Sequence, residues 1–261
     1  LQKRKPDRLW LRHSLCQNDG KNCLHGGKRG FDKYVWAGSP TENSVLFSRC
    51  SPDGEEGFPG SLGLGITYSL NEDNPLSIRY YGKTDQDTIV SMTNHSYFNL
   101  AGKGSVLTHR LTLFSDAYCE CTGECLPTGR ILPVAHTPLD FSTEKEIGRD
   151  LNADWEQMRQ VGGYDHNFVL RGEGMKKAAC LFCPDTGIKM EISTTLPGVQ
   201  LYSGNFIGKR RGKMEAEYES RSGVCLETQF YPDTPNQPSF PSCVLKRGDT
   251  YSHTTVYAFD G

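Results

Sequence analysis

No run of apolar residues in this 261-residue chain approaches the roughly 20 that carry a helix across a bilayer. No apolar signal region follows the basic start Lys3-Arg4-Lys5. Charge of one sign is also missing. The 29 Lys and Arg face 31 Asp and Glu, and a formal net charge of -2 offers no global field for nucleic acid or an anionic membrane. Gly102 to Gly104 opens no Gly-x-Gly-x-x-Gly turn into a helix, which leaves nucleotide binding without support. Internal repeats, low-complexity linkers and heptads are absent. The expectation is a soluble, intracellular, cytoplasmic monomer with no membrane and no nucleic-acid partner, forming a single domain over 1–261.

Ten cysteines are present, spread over a chain large enough to build a core without staples. Free thiols are expected. Cys119-Glu120-Cys121, Cys125, Cys180 and Cys183 supply enough thiolates for zinc, but no second closely paired knuckle stands near the first. No metal and no cofactor are expected.

Short β-branched and aromatic runs separated by Gly, Pro, Asn and Asp predict an antiparallel all-β protein. Leu64 to Leu70 and Leu76 to Tyr81 flank Asn71-Glu72-Asp73-Asn74-Pro75 as a hairpin. Further strands are expected over Val106 to Leu113, Asn167 to Arg171, Ala178 to Cys183, Ile188 to Thr194, Val199 to Phe206, Val224 to Gln229 and Tyr251 to Phe259. Ile147, Leu151, Trp155 and Met158 recur at helical spacing behind a Thr143/Glu146 capping box and predict a short surface helix. Pro232, Pro235, Pro238 and Pro241 deny the stretch after Glu227 regular pairing and predict an ordered loop beside a pocket.

Alternation along Thr93 to Leu100 predicts a strand with Ser91, Thr93, His95, Tyr97 and Asn99 on one face and Met92, Phe98 and Leu100 packed on the other. A polar face around an imidazole marks a candidate site. Three more polar clusters accompany it: Leu24 to Gly27, Gly162 to Phe168 and Gly223 to Gln229. On Val224 to Gln229, Glu227 faces away from Val224 and Leu226, with Cys225 beside it as a small apolar lining residue. Gln200, sharing a strand face with Tyr202, is a candidate hydroxyl ligand. His166 reads as structural.

From about Asn22 onward the chain resembles the aldose 1-epimerase (galactose mutarotase) family. The resemblance rests on Leu24-His25-Gly26-Gly27 with Gly30-Phe31-Asp32-Lys33, Thr93 to Gly102, and Asp165-His166-Asn167-Phe168. It continues through Gly198-Val199-Gln200 with Gly204-Asn205-Phe206, and Leu226-Glu227-Thr228-Gln229 with Asn236-Gln237-Pro238. It implies a large twisted antiparallel β-sandwich, the galactose mutarotase-like supersandwich, with an open sugar cleft and no metal. Residues 1 to 21, including Leu9-Trp10-Leu11-Arg12-His13, do not resemble the family's glycine-arginine-rich amino-terminal segment, whose Asn-Arg pair contacts sugar. A truncated or alternatively spliced product is one reading of that difference.

The implied reaction interconverts the α and β anomers of hexoses such as galactose and glucose. A base takes the C1 hydroxyl proton, an acid protonates the ring oxygen, and the ring opens and recloses; such groups typically contribute about 10² to 10⁴-fold each. By resemblance Glu227 is the base and His95 the acid, while His25 and Asp165 bind and orient the sugar. Hydrogen bonds near Gln229 are expected to hold Glu227 ionised, and Asp165 to keep His95 protonated. Tyr97, Phe98, Tyr164 and Tyr202 are candidates for stacking on the sugar. The alternative is a catalytically impaired carbohydrate-binding or protein-interaction homologue. A hexose-6-phosphate epimerase would instead use Lys209-Arg210-Arg211 for the phosphate.

Overall fold

The computed structural model describes residues 13–70 and 75–261. The Asn71 to Asn74 hairpin loop and Leu9 to Arg12 lie outside the described residues. Two antiparallel sheets dominate, stacked around one apolar interior. The larger runs in the order Ala37–Pro40, Ser44–Ser51, Leu62–Leu70, Leu76–Thr84, Tyr251–Asp260, Lys189–Thr194, Lys176–Phe182, Arg110–Leu113 and Lys145–Glu146. The smaller runs Tyr97–Phe98, Val224–Gln229, Gly198–Tyr202, Asp165–Leu170, Ser115–Cys121 and Pro127–Pro133. This is the expected all-β sandwich.

Alternation explains which residues enter the core. Ile78, Tyr80, Met190, Ile192 and Tyr257 from the larger sheet meet Phe168, Val199, Leu201, Val224 and Leu226 from the smaller. Three threonines tie the layers together inside this apolar interior. Thr255 Oγ1 lies 3.1 Å from Thr194 Oγ1 and 2.6 Å from Thr228 Oγ1, so each buried hydroxyl finds a partner.

Two expected elements differ. The helix spans only Glu156–Val161 and starts at Trp155, which supplies no side-chain cap. The Thr143/Glu146 segment pairs instead as strand Lys145–Glu146 against Arg110–Leu113. Buried Lys145 holds it there, donating to Pro138 O at 2.7 Å and Asp150 Oδ2 at 2.8 Å. Ile147, Leu151 and Met158 are buried as expected, but across turns rather than along one helix face.

The strand expected through Thr93 to Leu100 narrows to Tyr97–Phe98. Residues before it use side-chain partners in place of a ladder. Met92 N donates to Tyr251 Oη at 3.0 Å, and Asn94 Nδ2 donates to Tyr257 Oη at 2.8 Å. Those tyrosines stand on the Tyr251–Asp260 strand, so the segment is pinned to the larger sheet before it joins the smaller one. Asn94, half-buried, thereby ties this segment to the larger sheet.

Candidate active site

Register along the smaller sheet assembles the site. Residues directly opposite one another in antiparallel strands share a face. Cys225 pairs with Tyr97 and with Tyr202, and Tyr202 pairs with Asp165, which puts all four in one row. One step along, Glu227 pairs with Gln200, and Gln200 with Asn167. The neighbours between them, including Leu226, Leu201, His166 and Phe168, turn into the core. A slip of one residue would exchange these faces completely. Thr228, bonded to Thr255 across the core, fixes the height of Glu227 on its strand.

His95 leans over this face from the segment just before Tyr97. Its Nε2 lies 3.6 Å from Glu227 Oε1, and its Nδ1 lies 3.3 Å from Cys225 Sγ. Tyr97 stacks on the imidazole at 5.0 Å between ring centres, while Tyr202 meets it edge-on at 6.1 Å. His25 reaches it from the opposite side, edge-on at 5.5 Å. Gln200 Nε2 donates to Asp165 Oδ1 at 2.7 Å. Thus all five residues singled out from sequence, Glu227, His95, His25, Asp165 and Gln200, come together on one face of the smaller sheet.

The four aromatics considered for stacking separate by burial and contact. Tyr164 has no exposed surface and packs on Phe141, and Phe98 packs against Tyr257. Tyr97 and Tyr202 alone among the four flank His95.

Electrostatics depart from the expected picture. Glu227 is 6% exposed, and among the described residues no hydrogen bond from Gln229 or any other donor reaches its carboxylate. Burial, reinforced by the charge of Asp165, pushes its pKa up to about 8. Burial and neighbouring His25 push His95 below its ordinary value. Asp165 therefore acts on Glu227 and does not hold the proton on His95. Asp165 is itself raised by burial, with the Gln200 amide and His25 partly offsetting the shift. His166 is structural as expected: 1% exposed, it is pushed down to about 4 by burial and accepts Asp165 N–H at Nδ1.

Glu56 is the supporting residue that the sequence motifs did not reveal. Its carboxylate accepts the backbone N–H groups of Lys28 at 3.0 Å and Arg29 at 3.1 Å, closing the turn that presents His25. Gly27, at φ 104, lies so close that a Cβ there would meet Glu56 Oε2 at 2.3 Å. Only glycine fits. On the other side, Gly163 at φ 140 leads the chain into Asp165, where a Cβ would meet Asn205 and Arg221 within 3.0 Å.

The proline-rich stretch is anchored by a small apolar cluster, with Tyr231 and Phe240 packed on Cys119 and Val169. Cys119 and Cys121 are buried and pushed up to about 11 and about 12, and all ten cysteines are free. Lys209-Arg210-Arg211 does not form an unopposed phosphate site. Arg211 Nη1 lies 3.0 Å from Glu215 Oε2, and Lys209 Nζ lies 4.0 Å from Glu219 Oε2.

A β-sheet face that sets an imidazole beside a buried carboxylate, with a second carboxylate and an amide next to them, is an arrangement suited to moving protons. The chain belongs to the aldose 1-epimerase family, whose model matches residues 11–258, beginning ahead of Asn22. Galactose mutarotases from Sus scrofa and Homo sapiens are each 43% identical over 251 residues, covering 95% of this chain and 72% of the relative. The aldose 1-epimerase of Escherichia coli K12 is 40% identical over 252 residues, covering 94% and 72%. A GalM/aldose epimerase homologue from C. elegans superposes with a TM-score of 0.88 at 29% identity, covering 95% of this chain and 75% of that one.

Proposed function

We propose that this protein is an aldose 1-epimerase that interconverts the α and β anomers of hexoses such as galactose and glucose, with Glu227 and His95 as its acid/base pair. The observation that carries the reading is the 3.6 Å approach of His95 Nε2 to Glu227 Oε1 on a cleft face that also presents Asp165 and Gln200. Family membership supports the same reaction.

Ring opening starts with ionised Glu227 and protonated His95. The Glu227 carboxylate takes the C1 hydroxyl proton, the C1–O5 bond breaks as the C1 carbonyl forms, and the ring oxygen takes a proton from His95. The pair then consists of a protonated carboxyl and a neutral imidazole. Rotation about C1–C2 by about 180° and the reverse proton transfers close the other anomer. Glu227 raised and His95 lowered favour the protonation state that matches the open-chain sugar. One proton shared by the pair suffices for both directions.

Asp165 and His25 orient the hydroxyls, Gln200 holds Asp165, and Tyr97 and Tyr202 offer rings for stacking. Ten free thiols suit a reducing, cytoplasmic location, and the reading is of a monomer. Among the described residues no helix is long and apolar enough to cross a membrane.

Polarimetry of freshly dissolved α-D-galactose and α-D-glucose tests the proposal. An equilibration rate proportional to protein is expected. A folded chain that binds galactose without accelerating equilibration would replace this reading with the carbohydrate-binding homologue.

A further inference from the structure

The catalytic cleft carries a donor set that proton transfer alone does not require. His95, Cys225 and Glu227 present nitrogen, sulfur and oxygen atoms all within 4.8 Å of one another. They are also the only such cluster of three among the described residues. Donors around tetrahedral zinc lie roughly 3.5 Å apart, given metal–ligand distances of about 2.0 to 2.3 Å. Cys225 Sγ lies 3.3 Å from His95 Nδ1 and Glu227 Oε1 lies 3.6 Å from His95 Nε2, on opposite nitrogens of the ring. With one ring nitrogen as the ligand, the remaining donor closes in from no more than 4.8 Å.

We propose that His95, Cys225 and Glu227 bind a thiophilic divalent cation such as Zn2+, through one imidazole nitrogen, the thiolate and a carboxylate oxygen, and that the bound ion blocks the cleft. The three ligands match a borderline-soft metal and disfavour Mg2+ or Ca2+, which select oxygen. Two of them are more than nine-tenths buried: Cys225 has no exposed surface and Glu227 is 6% exposed. Among the described residues no hydrogen bond reaches the buried Glu227 carboxylate. A divalent cation bound there replaces the thiol proton, which leaves to solvent.

The blocking consequence rests on the acid/base reading, because the ion engages both members of the pair. Binding itself does not depend on it, so it is tested separately. Titration with Co2+ alone, followed by absorption, is expected to give a thiolate-to-cobalt charge-transfer band and tetrahedral d–d bands saturating at one ion per chain. Zn2+ should displace them. Cys225→Ala, checked for folding by circular dichroism, should lose the charge-transfer band. No band in the native chain, or an equal band in folded Cys225→Ala, overturns the site.

In polarimetry, Zn2+ is expected to slow mutarotation reversibly, with chelator restoring the rate. The concentration for half-inhibition should rise about tenfold or more in Cys225→Ser, each protein being compared with its own metal-free rate. Undiminished rates with zinc demonstrably bound would overturn the blockade. A chain without mutarotase activity still reports through cobalt absorption.

Discussion

His95 Nε2 stands 3.6 Å from Glu227 Oε1, yet the two shifts run against a permanent ion pair: the carboxyl is raised to about 8 and the imidazole is lowered. The pair thus holds one transferable proton, which rests on the carboxyl and can pass to the imidazole. That is the requirement of a reaction whose forward and reverse halves exchange acid and base.

Replacing either member removes one proton-transfer partner. Glu227→Gln and His95→Asn are each expected to lower kcat by about 10² to 10⁴-fold while circular dichroism stays native. Near-normal polarimetric rates in both variants would end the assignment.

The pH dependence follows from the shared proton. Activity falls on the acid side as both groups become protonated, and on the alkaline side as Glu227 loses its proton near its pKa of about 8. A bell-shaped kcat/KM profile is expected. Asp165→Asn should move the alkaline limb to lower pH, because the Asp165 charge contributes to the elevation of Glu227. An alkaline limb unmoved by that substitution contradicts the coupling.

The same shift carries a stability signature. Between the ordinary carboxyl value of 4.5 and about 8, folded Glu227 retains a proton that the unfolded chain has released. Stability therefore declines as pH rises through this window. Glu227→Gln is expected to be more stable than the native chain above about pH 8, by on the order of 1–3 kcal/mol, with the difference fading near pH 4. Thermal unfolding at both pH values measures it, and equal Tm differences at the two would refute the linkage.

Glu56 acts through His25. Its carboxylate closes the Lys28–Arg29 turn, so Glu56→Ala is expected to loosen His25 and raise KM about tenfold with a smaller effect on kcat. Glu56→Gln, which retains one acceptor oxygen, should recover part of the loss. A fall in kcat alone, with KM unchanged, would show that the turn does not serve substrate binding.

The sheet content was readable from local chemistry, and the candidate site residues from motif resemblance. Alternation marked Val224 to Gln229 and Leu76 to Tyr81 as strands, because side-chain direction in a strand has a period of two. The motif resemblance singled out Glu227, His95, His25 and Asp165, which the fold then gathered. Where sequence reading overreached, long-range partners had replaced local rules. The tyrosine hydroxyls of the Tyr251–Asp260 strand took over the backbone before Tyr97, and buried Lys145 redirected an apparent helix start into a strand pair.

Residue types and their periodicity therefore determined that this chain makes strands, and motif resemblance singled out the residues proposed as its acid/base set. Tertiary structure alone decided how those groups behave. A carboxylate's pKa depends on the water and charge around it, and Glu227 acquires both its burial and its Asp165 neighbour only when three strands align. The same alignment sets Cys225 against His95 and exposes Tyr97 to the cleft while Tyr164 vanishes into the core. Those distances arise from register and packing between segments far apart in the chain, which no local pattern encodes.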